Sequence, residues 1–311
     1  MNTRFLETLV MLAQLKSFRA TARALHTTPA AISLRIKALE DELRTELVDR
    51  SAKDFQLTAN AEYLLSYAKA VVDATQRLQN AARNESVVHG KLRLGVVETV
   101  VHSWLSDYIR EINGSHPQLD IDLIVDGSAL IEKKLRAREL DLALSIEGSN
   151  SAEIISEPLA LYPFRWIARS GLLLTHKEGL VNRVLQFPIL TFGRGTTPHR
   201  ALEEIVTKLA NHSTTSLERT RITCSPSVAT IIQLVRDGFG IAAIPKLLVK
   251  SQLENGEFVE LPVQPVPPSV VVSMSRHTSA SMAVHAAAAI ARTACSSYCR
   301  RVSRNYIDAL C

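Results

Sequence analysis

Near the N-terminus, Phe18, Ala22 and Leu25 fall at helical spacing, His26-Thr27-Thr28 interrupts, and Ile32, Ile36, Leu39 and Leu43 resume the spacing. The pattern predicts two short amphipathic helices sharing one small core. Thr28 before Pro29 marks the start of the second, because a Thr hydroxyl accepts from the free amides of a first turn and Pro carries the backbone angle of the first helical position. On a wheel of about 100° per residue, Ala30, Ser33, Leu34 and Lys37 share one face, opposite Ile32, Ile36 and Leu39. Beyond Leu47, Val48-Asp49-Arg50, the polar stretch Ser51 to Asp54 and Phe55-Gln56-Leu57-Thr58 read as a short β-wing carrying Arg50 and Lys53.

From Thr58 to Glu85 the chain lacks Pro and Gly and is rich in Ala, Leu, Lys and Glu, which predicts one helix of roughly 42 Å. Leu64, Ala68, Val71, Thr75, Leu78 and Ala82 form a heptad-like seam. Nothing local covers that seam, so pairing with the same helix of a second subunit is expected through Leu64, Ala68, Val71 and Leu78; packing on the chain's own second domain is the alternative. After His89-Gly90 the period changes to alternating strands and helices. Strands are expected at Lys91 to Val97, Leu119 to Val125 and Leu140 to Ile146, with helices at Val101 to Ile112 and Ala129 to Arg138. A second set follows from Tyr162, with strands at Phe164 to Ala168, Ile189 to Phe192, Arg219 to Thr223 and Ile241 to Ile244. Its helices are near Leu180 to Gln186, Pro198 to Ala210 and Ser227 to Arg236; a strand Val270 to Met274 and a helix Ser281 to Arg301 end the pattern. Such alternation implies parallel sheets in two α/β lobes.

Charge sharpens the N-terminal reading. Lys16, Arg19, Arg23, Arg35 and Lys37 occur where no Asp or Glu stands between Glu7 and Glu40, a surface suited to phosphate. Small residues on the outer face of the second helix permit close approach to a major groove. Phe18 to Lys37 therefore reads as a helix-turn-helix, with Thr28, Pro29, Ala30, Ser33, Leu34, Arg35, Lys37, Arg50 and Lys53 as candidate DNA contacts; an ordinary helical hairpin with a solvated basic face is the bland alternative.

This stretch resembles the LysR-type transcriptional regulators. The resemblance rests on Phe5-Leu6, Ser17-Phe18, Ala22, Leu25, Ala31-Ile32-Ser33, Ile36, Leu39-Glu40, Leu43, Leu47 with Arg50, and Leu57-Thr58. The chain departs from the family pattern at Pro29, where a Gln is usual, and at Leu34-Arg35, Val48 and Ala61, so base specificity does not carry over. Arg35 is expected to hold a phosphate or an intramolecular carboxylate. Downstream, Gly127-Ser128, Ile131, Leu135, Leu140-Asp141-Leu142-Ala143, Gly238-Phe239-Gly240-Ile241-Ala242 and Ile244-Pro245 are similar to the family's effector domain, itself like periplasmic solute-binding proteins. The fold implied is multidomain, α and α/β: a winged helix-turn-helix (1–58), a linker and dimerisation helix (59–89), a two-lobed effector domain (90–301) and a tail (302–311). Lobe one takes about 90–162 and 268–301, lobe two 163–267.

In open parallel sheets ligands sit beyond the carboxyl ends of strands, where helix N-termini offer amides. The loops so placed nominate Thr99, Val100, Gly127, Ser128, Ile146, Thr191, Phe192 and Ser227 for a small carboxylate or polar anion, while Glu98 and Glu147 favour a zwitterion such as an amino acid. The partners implied are promoter double-stranded DNA, a small-molecule effector, a second copy in a homodimer or homotetramer, and RNA polymerase, with no cofactor and no metal.

Composition excludes other classes. At 311 residues and 46% hydrophobic content the chain can bury substantial cores, and a net charge of +5 permits nucleic-acid binding without demanding it. No apolar run reaches membrane-spanning length and no signal peptide is recognisable, so a cytoplasmic protein is expected. The four cysteines, Cys224, Cys295, Cys299 and Cys311, are read as reduced, and Cys295 and Cys299 as inert helix residues, with a redox or metal role the alternative. There is no Gly-x-Ser-x-Gly elbow, no phosphate-cradling loop and no dinucleotide fingerprint; Gly193-Arg194-Gly195 and Gly238-Phe239-Gly240 read as turns. The expectation is a ligand-controlled, sequence-specific transcriptional regulator and not an enzyme, the alternative being a solute-binding module without selective DNA binding.

Overall fold

The computed structural model describes residues 2–49, 55–82, 89–172, 179–211 and 220–311. They form two compact units, residues 1–87 with 136–139 and residues 88–135 with 140–311.

In the first unit three helices pack around one core: α1 (Thr3–Leu15), α2 (Phe18–Ala24) and α3 (Pro29–Leu43). Each start is capped by its own sequence. Asn2 accepts from the Arg4 amide at 3.0 Å, Ser17 from Ala20 at 3.3 Å and Thr28 from Ala31 at 3.2 Å, satisfying amides that a first turn leaves open. The turn between α2 and α3 is closed by the Thr27 amide donating to the Ala22 carbonyl at 2.9 Å, with His26 at φ 47. Leu6, Leu9 and Leu12 of α1, Ala22 of α2, and Ile32, Ile36 and Leu39 of α3 make the core. Strands β1 (Val48–Asp49) and β2 (Gln56–Leu57) pair antiparallel at the base of the wing. Helix α4 (Ala59–Ala82) follows, its start capped by Thr58 at 3.1 Å from the Ala61 amide.

The second unit holds two sheets. The six-stranded sheet has β3 (Gly90–Val96), β4 (Leu119–Val125), β5 (Leu142–Ile146), β6 (Ile154–Tyr162), β12 (Val270–His277) and β13 (Asp308–Ala309), in the order β13-β6-β12-β5-β3-β4. The five-stranded sheet has β7 (Phe164–Arg169), β8 (Ile189–Thr191), β9 (Ile222–Cys224), β10 (Ile241–Pro245) and β11 (Phe258–Leu261), in the order β11-β7-β10-β8-β9. Helices α5 (Glu98–Val101), α6 (Leu105–Ser115), α7 (Ser128–Arg136) and α12 (Met282–Arg301) accompany the first sheet. Helices α8 (Leu180–Gln186), α9 (Thr197–Asn211), α10 (Val228–Arg236) and α11 (Lys250–Glu254) accompany the second. The chain passes between sheets twice, after Tyr162 and before Val270.

The two passages correct the expectation of wholly parallel sheets. A strand re-entering from the other lobe runs against its neighbours, so β12 is antiparallel to both β5 and β6, and β7 to both β10 and β11. The long strand β6 escaped the sequence reading because Pro158 and Glu157 interrupt its apolar run. The ladder absorbs Pro158 at a register shift between Val272 and Ser273. The helix expected from Val101 to Ile112 is two helices, α5 and α6. Between them the Ser103 hydroxyl reaches the Thr99 carbonyl at 2.8 Å and the Trp104 indole donates to the Tyr162 hydroxyl at 3.0 Å. Side chains that bond locally to the backbone compete with helix continuation. Gly240 is fixed by close approach, since a Cβ there would lie 2.3 Å from the Pro188 carbonyl oxygen, and Gly238 turns at φ 72. The tail is not loose: Ile307 is fully buried and β13 adds to the edge of β6.

Candidate DNA-reading helix and effector cleft

The outer edge of α3 is open. Thr28, Pro29, Ala30, Ser33 and Lys37 are exposed, and Leu34 is 68% exposed, while Ile32, Ile36 and Leu39 face inward as their spacing requires. Ser33 donates to the Pro29 carbonyl at 3.1 Å, so its hydroxyl is held against the helix and leaves the edge nearly flat. Lys16, Arg19 and Arg23 are also exposed. Arg35 makes no ion pair with a carboxylate among the described residues. It is half-buried and its guanidinium donates to the Thr8 hydroxyl of α1 at 3.4 Å, bracing two helices of one core. Arg50 and Lys53 lie outside the described residues.

Sequence reading gave Glu40 no structural role. Buried at the end of α3, its carboxylate accepts from the Leu47 amide at 2.8 Å and the Val48 amide at 3.3 Å. An ionised acceptor bonded to two amides is among the stronger hydrogen-bond arrangements, and here it fixes where β1 begins relative to the reading helix. The signal was an acid ending a stretch otherwise free of acids, but its partners lie seven and eight residues on.

The seam expected on α4 also divides. Leu64 and Ala68 pack into the core of their own unit, against α1, Ala68 being buried. The exposed apolar stripe is Tyr63 (67%), Tyr67 (52%), Val71 (36%) and Leu78 (71%). Tyr63 and Tyr67 meet along it at a tilt of 58°, with ring centroids 5.5 Å apart and hydroxyls 3.2 Å apart. Of the four expected residues, Val71 and Leu78 are on that stripe, and Leu64 and Ala68 are turned away because α1 covers them.

Between the sheets of the second unit lies a cleft of about 700 Å³. Of the expected residues, Thr99, Gly127, Ser128, Ile146, Phe192 and Ser227 line it. Val100 and Thr191 do not. Val100 sits on the inner side of α5 and is fully buried in the lobe core, and Thr191 is buried with its hydroxyl donating to the Ala243 carbonyl at 3.4 Å. Two lining hydroxyls serve the fold: Ser128 accepts from the Ile146 amide at 3.1 Å, and Ser227 caps α10 at 3.4 Å from the Thr230 amide. Thr99 differs. It is 1% exposed, lines the cleft, and its hydroxyl has no hydrogen-bond partner among the described residues.

Charge in the cleft is divided by lobe. Glu98, Asp126, Glu132 and Glu147 come from lobe one, Arg194 and Arg200 from lobe two. Several are engaged: Asp126 accepts from the Gly127 amide at 2.7 Å, Glu132 from the Ser149 hydroxyl at 2.9 Å, and Arg200 donates to the Gly195 carbonyl at 2.6 Å. Glu98 crosses the cleft, its carboxylate accepting from the Val228 amide that opens α10. Glu147, at φ 65, and Arg194 are exposed, with no ion pair among the described residues. Arg194 was visible in the sequence only as the middle of a Gly-Arg-Gly turn. The described residues hold no cluster of three or more His, Cys, Asp or Glu arranged for a metal, and none of their helices is long and apolar enough to cross a membrane.

A capped helix-turn-helix with an open reading edge, joined to a two-lobed α/β domain with a polar cleft, defines a ligand-responsive DNA-binding protein. Residues 3–62 match the bacterial regulatory helix-turn-helix protein family of LysR type and residues 85–296 the LysR substrate binding domain, so the chain belongs to the LysR family of transcriptional regulators. It is 28% identical over 282 residues to the HTH-type transcriptional regulator CbbR of Sinorhizobium medicae, covering 86% of this chain and 84% of that one. Its fold is similar to ArgP from Mycobacterium tuberculosis, with a TM-score of 0.76 at 21% identity over 94% of this chain and 96% of that one. It is also similar to full-length LysG of Corynebacterium glutamicum with its effector Arg bound, with a TM-score of 0.70 at 21% identity over 96% of this chain and 99% of that one. The family comprises regulators that bind DNA through the helix-turn-helix and small-molecule effectors through the second domain, not enzymes.

Proposed function

We propose that two copies of this regulator pair along the Tyr63, Tyr67, Val71 and Leu78 face of α4, and that each inserts the Ala30, Ser33, Leu34 and Lys37 edge of α3 into a major groove. Pairing places two small reading heads on successive grooves, as a single head of this size needs for useful affinity. Leu34 offers an apolar contact for a thymine methyl, and Lys16, Arg19, Arg23 and Lys37 offer charge to phosphates. RNA polymerase as a partner rests on the family resemblance alone.

The effector we assign to the cleft is a small zwitterion of amino-acid type. The observation carrying this is the pair Glu147 and Arg194: one acid and one base, on opposite lobes, both facing the cleft without an ion pair among the described residues. An ammonium group suits Glu147 and a carboxylate suits Arg194, with the unpartnered Thr99 hydroxyl as a further donor or acceptor. A bare carboxylate is a poorer fit, because the α10 amide that would receive it already holds Glu98. That the similar LysG has arginine bound as its effector is consistent with this class. A ligand held from both lobes binds their closed arrangement more tightly than the open one, and only that difference lets it reset the DNA-bound assembly.

Thermal-shift screening of the full-length protein tests the assignment, since stabilisation grows with ligand concentration over its dissociation constant. At least one amino acid should raise the melting temperature, and Glu147→Ala or Arg194→Ala should remove the shift. Stabilisation of both variants by an acid lacking an amine would overturn it.

A further inference from the structure

Three of the four cysteines converge where the tail returns to α12. Strand β13 pairs Asp308 with Leu161 and Ala309 with Ala160, and the next amide, of Leu310, donates to the Leu159 carbonyl at 2.8 Å. The Cys295 thiol approaches the same carbonyl at 3.8 Å. Cys311 then lies along α12: its thiol is 3.7 Å from the Arg292 carbonyl and 3.4 Å from the Ser296 hydroxyl, which donates to the Cys311 carbonyl at 3.2 Å. The Cys311 thiol thus lies against Arg292 and Ser296, the positions one turn before and one residue after Cys295 on α12. Cys295 is fully buried and Cys311 exposed.

We infer that Cys311 and Cys295 are a reversible dithiol–disulfide pair, a modification site that fastens the tail to α12. Cys299 is the poorer partner for Cys295. Residues four apart on a helix hold their Cβ atoms about 5–6 Å apart, whereas a disulfide needs about 3.5–4.5 Å. Cys311 arrives from a separate strand, so that spacing does not constrain it. Burial also orders the chemistry. A small-molecule disulfide in solution reaches Cys311 first; the Cys311 thiolate forms a bond to one of its sulfurs and expels the other as a thiolate. The Cys295 sulfur then attacks the Cys311 sulfur, and the second small thiol departs with the Cys295 proton. Two protein thiols become one disulfide, and one small disulfide becomes two small thiols.

The tail touches both lobes, which gives the bond a consequence. β13 lies on β6 just before the passage at Tyr162, and the Tyr306 ring sits under the Lys246 ammonium of lobe two, 5.0 Å from its centroid. Fastening the tail therefore ties down a strap beside the hinge.

Incubation of the full-length protein with glutathione disulfide tests this. Intact mass should fall by two hydrogens, the linked peptide should map to Cys295 and Cys311, and the melting temperature should rise and return when dithiothreitol is added. Cys311→Ser should leave the reduced protein folded and abolish both mass loss and shift, and Cys299→Ser should retain both. A stable glutathione adduct on Cys311 with Cys295 still reduced, a link mapping to Cys299, or a Cys311 link between two chains would each overturn the inference.

Discussion

Glu98 and Val228 stand on opposite sides of the cleft, and the Glu98 carboxylate accepts a hydrogen bond from the Val228 amide at the start of α10. The contact places the chain's own anion at a helix N-terminus, where amides and dipole favour negative charge. Glu98→Ala is expected to vacate that position and let sulfate or acetate stabilise the protein, which they should not do in the wild type. The effector-free melting temperature of the variant should fall by the equivalent of about 1.5–3 kcal/mol, the value of a hydrogen bond to a charged group. Thermal shift in the two anions decides it; equal stabilisation of both proteins would show that Glu98 does not compete for the seat.

The open edge of α3 makes a separable prediction. Lys37→Glu places a repelling charge near phosphates, and Ser33→Arg fills a flat surface with a long side chain; either should abolish promoter binding without altering oligomer size. Lys37→Ala should weaken binding evenly across sequences and lower the salt slope by about one. Leu34→Ala should instead relax preference at a single base pair, by about 1 kcal/mol or more. Footprinting at several salt concentrations with light scattering separates these outcomes, and unchanged footprints in all variants would exclude α3 as the reader.

Glu40 tests how the wing is held. Glu40→Gln keeps the shape but replaces a charged acceptor of two amides with a neutral one, at an expected cost of about 1–3 kcal/mol. The loss should fall on the first unit, so amide exchange should speed up around Leu47 and Val48 while β3 and β5 keep their protection.

Acid sensitivity has an identifiable source in lobe one. Partial burial pushes the Glu157 carboxyl up, but hydrogen bonds and charge from Arg276, at 2.6 Å, and Arg292, at 2.7 Å, outweigh it and hold the group below its ordinary value. A carboxyl with a depressed folded pKa stabilises above its unfolded value, about 4.3 for Glu, and that stability is lost as pH falls through the folded value. Glu157→Gln should therefore lower the melting temperature at pH 7 and flatten its decline below about pH 5. A parallel decline in both proteins would assign the acid loss elsewhere.

What the chain discloses by itself follows the range of each interaction. The cap at Thr28 and the inward face of α3 were legible because their partners lie three or four residues away. Six of eight cleft residues followed from strand and helix order, since topology places those loops together. Val100 and Thr191 did not, because which side of a one-turn helix or a strand end faces a cleft is decided by packing. The Glu98 to Val228 contact spans 130 positions and the Tyr108 to Ala287 bond 179; no local pattern encodes either.

The two faces of α4 give the sharpest test of that distinction. By spacing alone, Leu64 and Ala68 belong with Val71 and Leu78, yet α1 covers the first pair and leaves Tyr63 and Tyr67 exposed in their place. If the exposed stripe pairs two subunits, Tyr67→Glu or Leu78→Glu should yield monomers in sedimentation at micromolar concentration, with the helix-turn-helix still folded. Leu64→Ala should do the reverse, keeping the assembly while lowering stability by about 2 kcal/mol through a partly buried cavity. A monomer from Leu64→Ala with dimers persisting in Leu78→Glu would move the interface to the other face, and DNA affinity would track whichever variant lost its partner, because one reading head alone binds weakly.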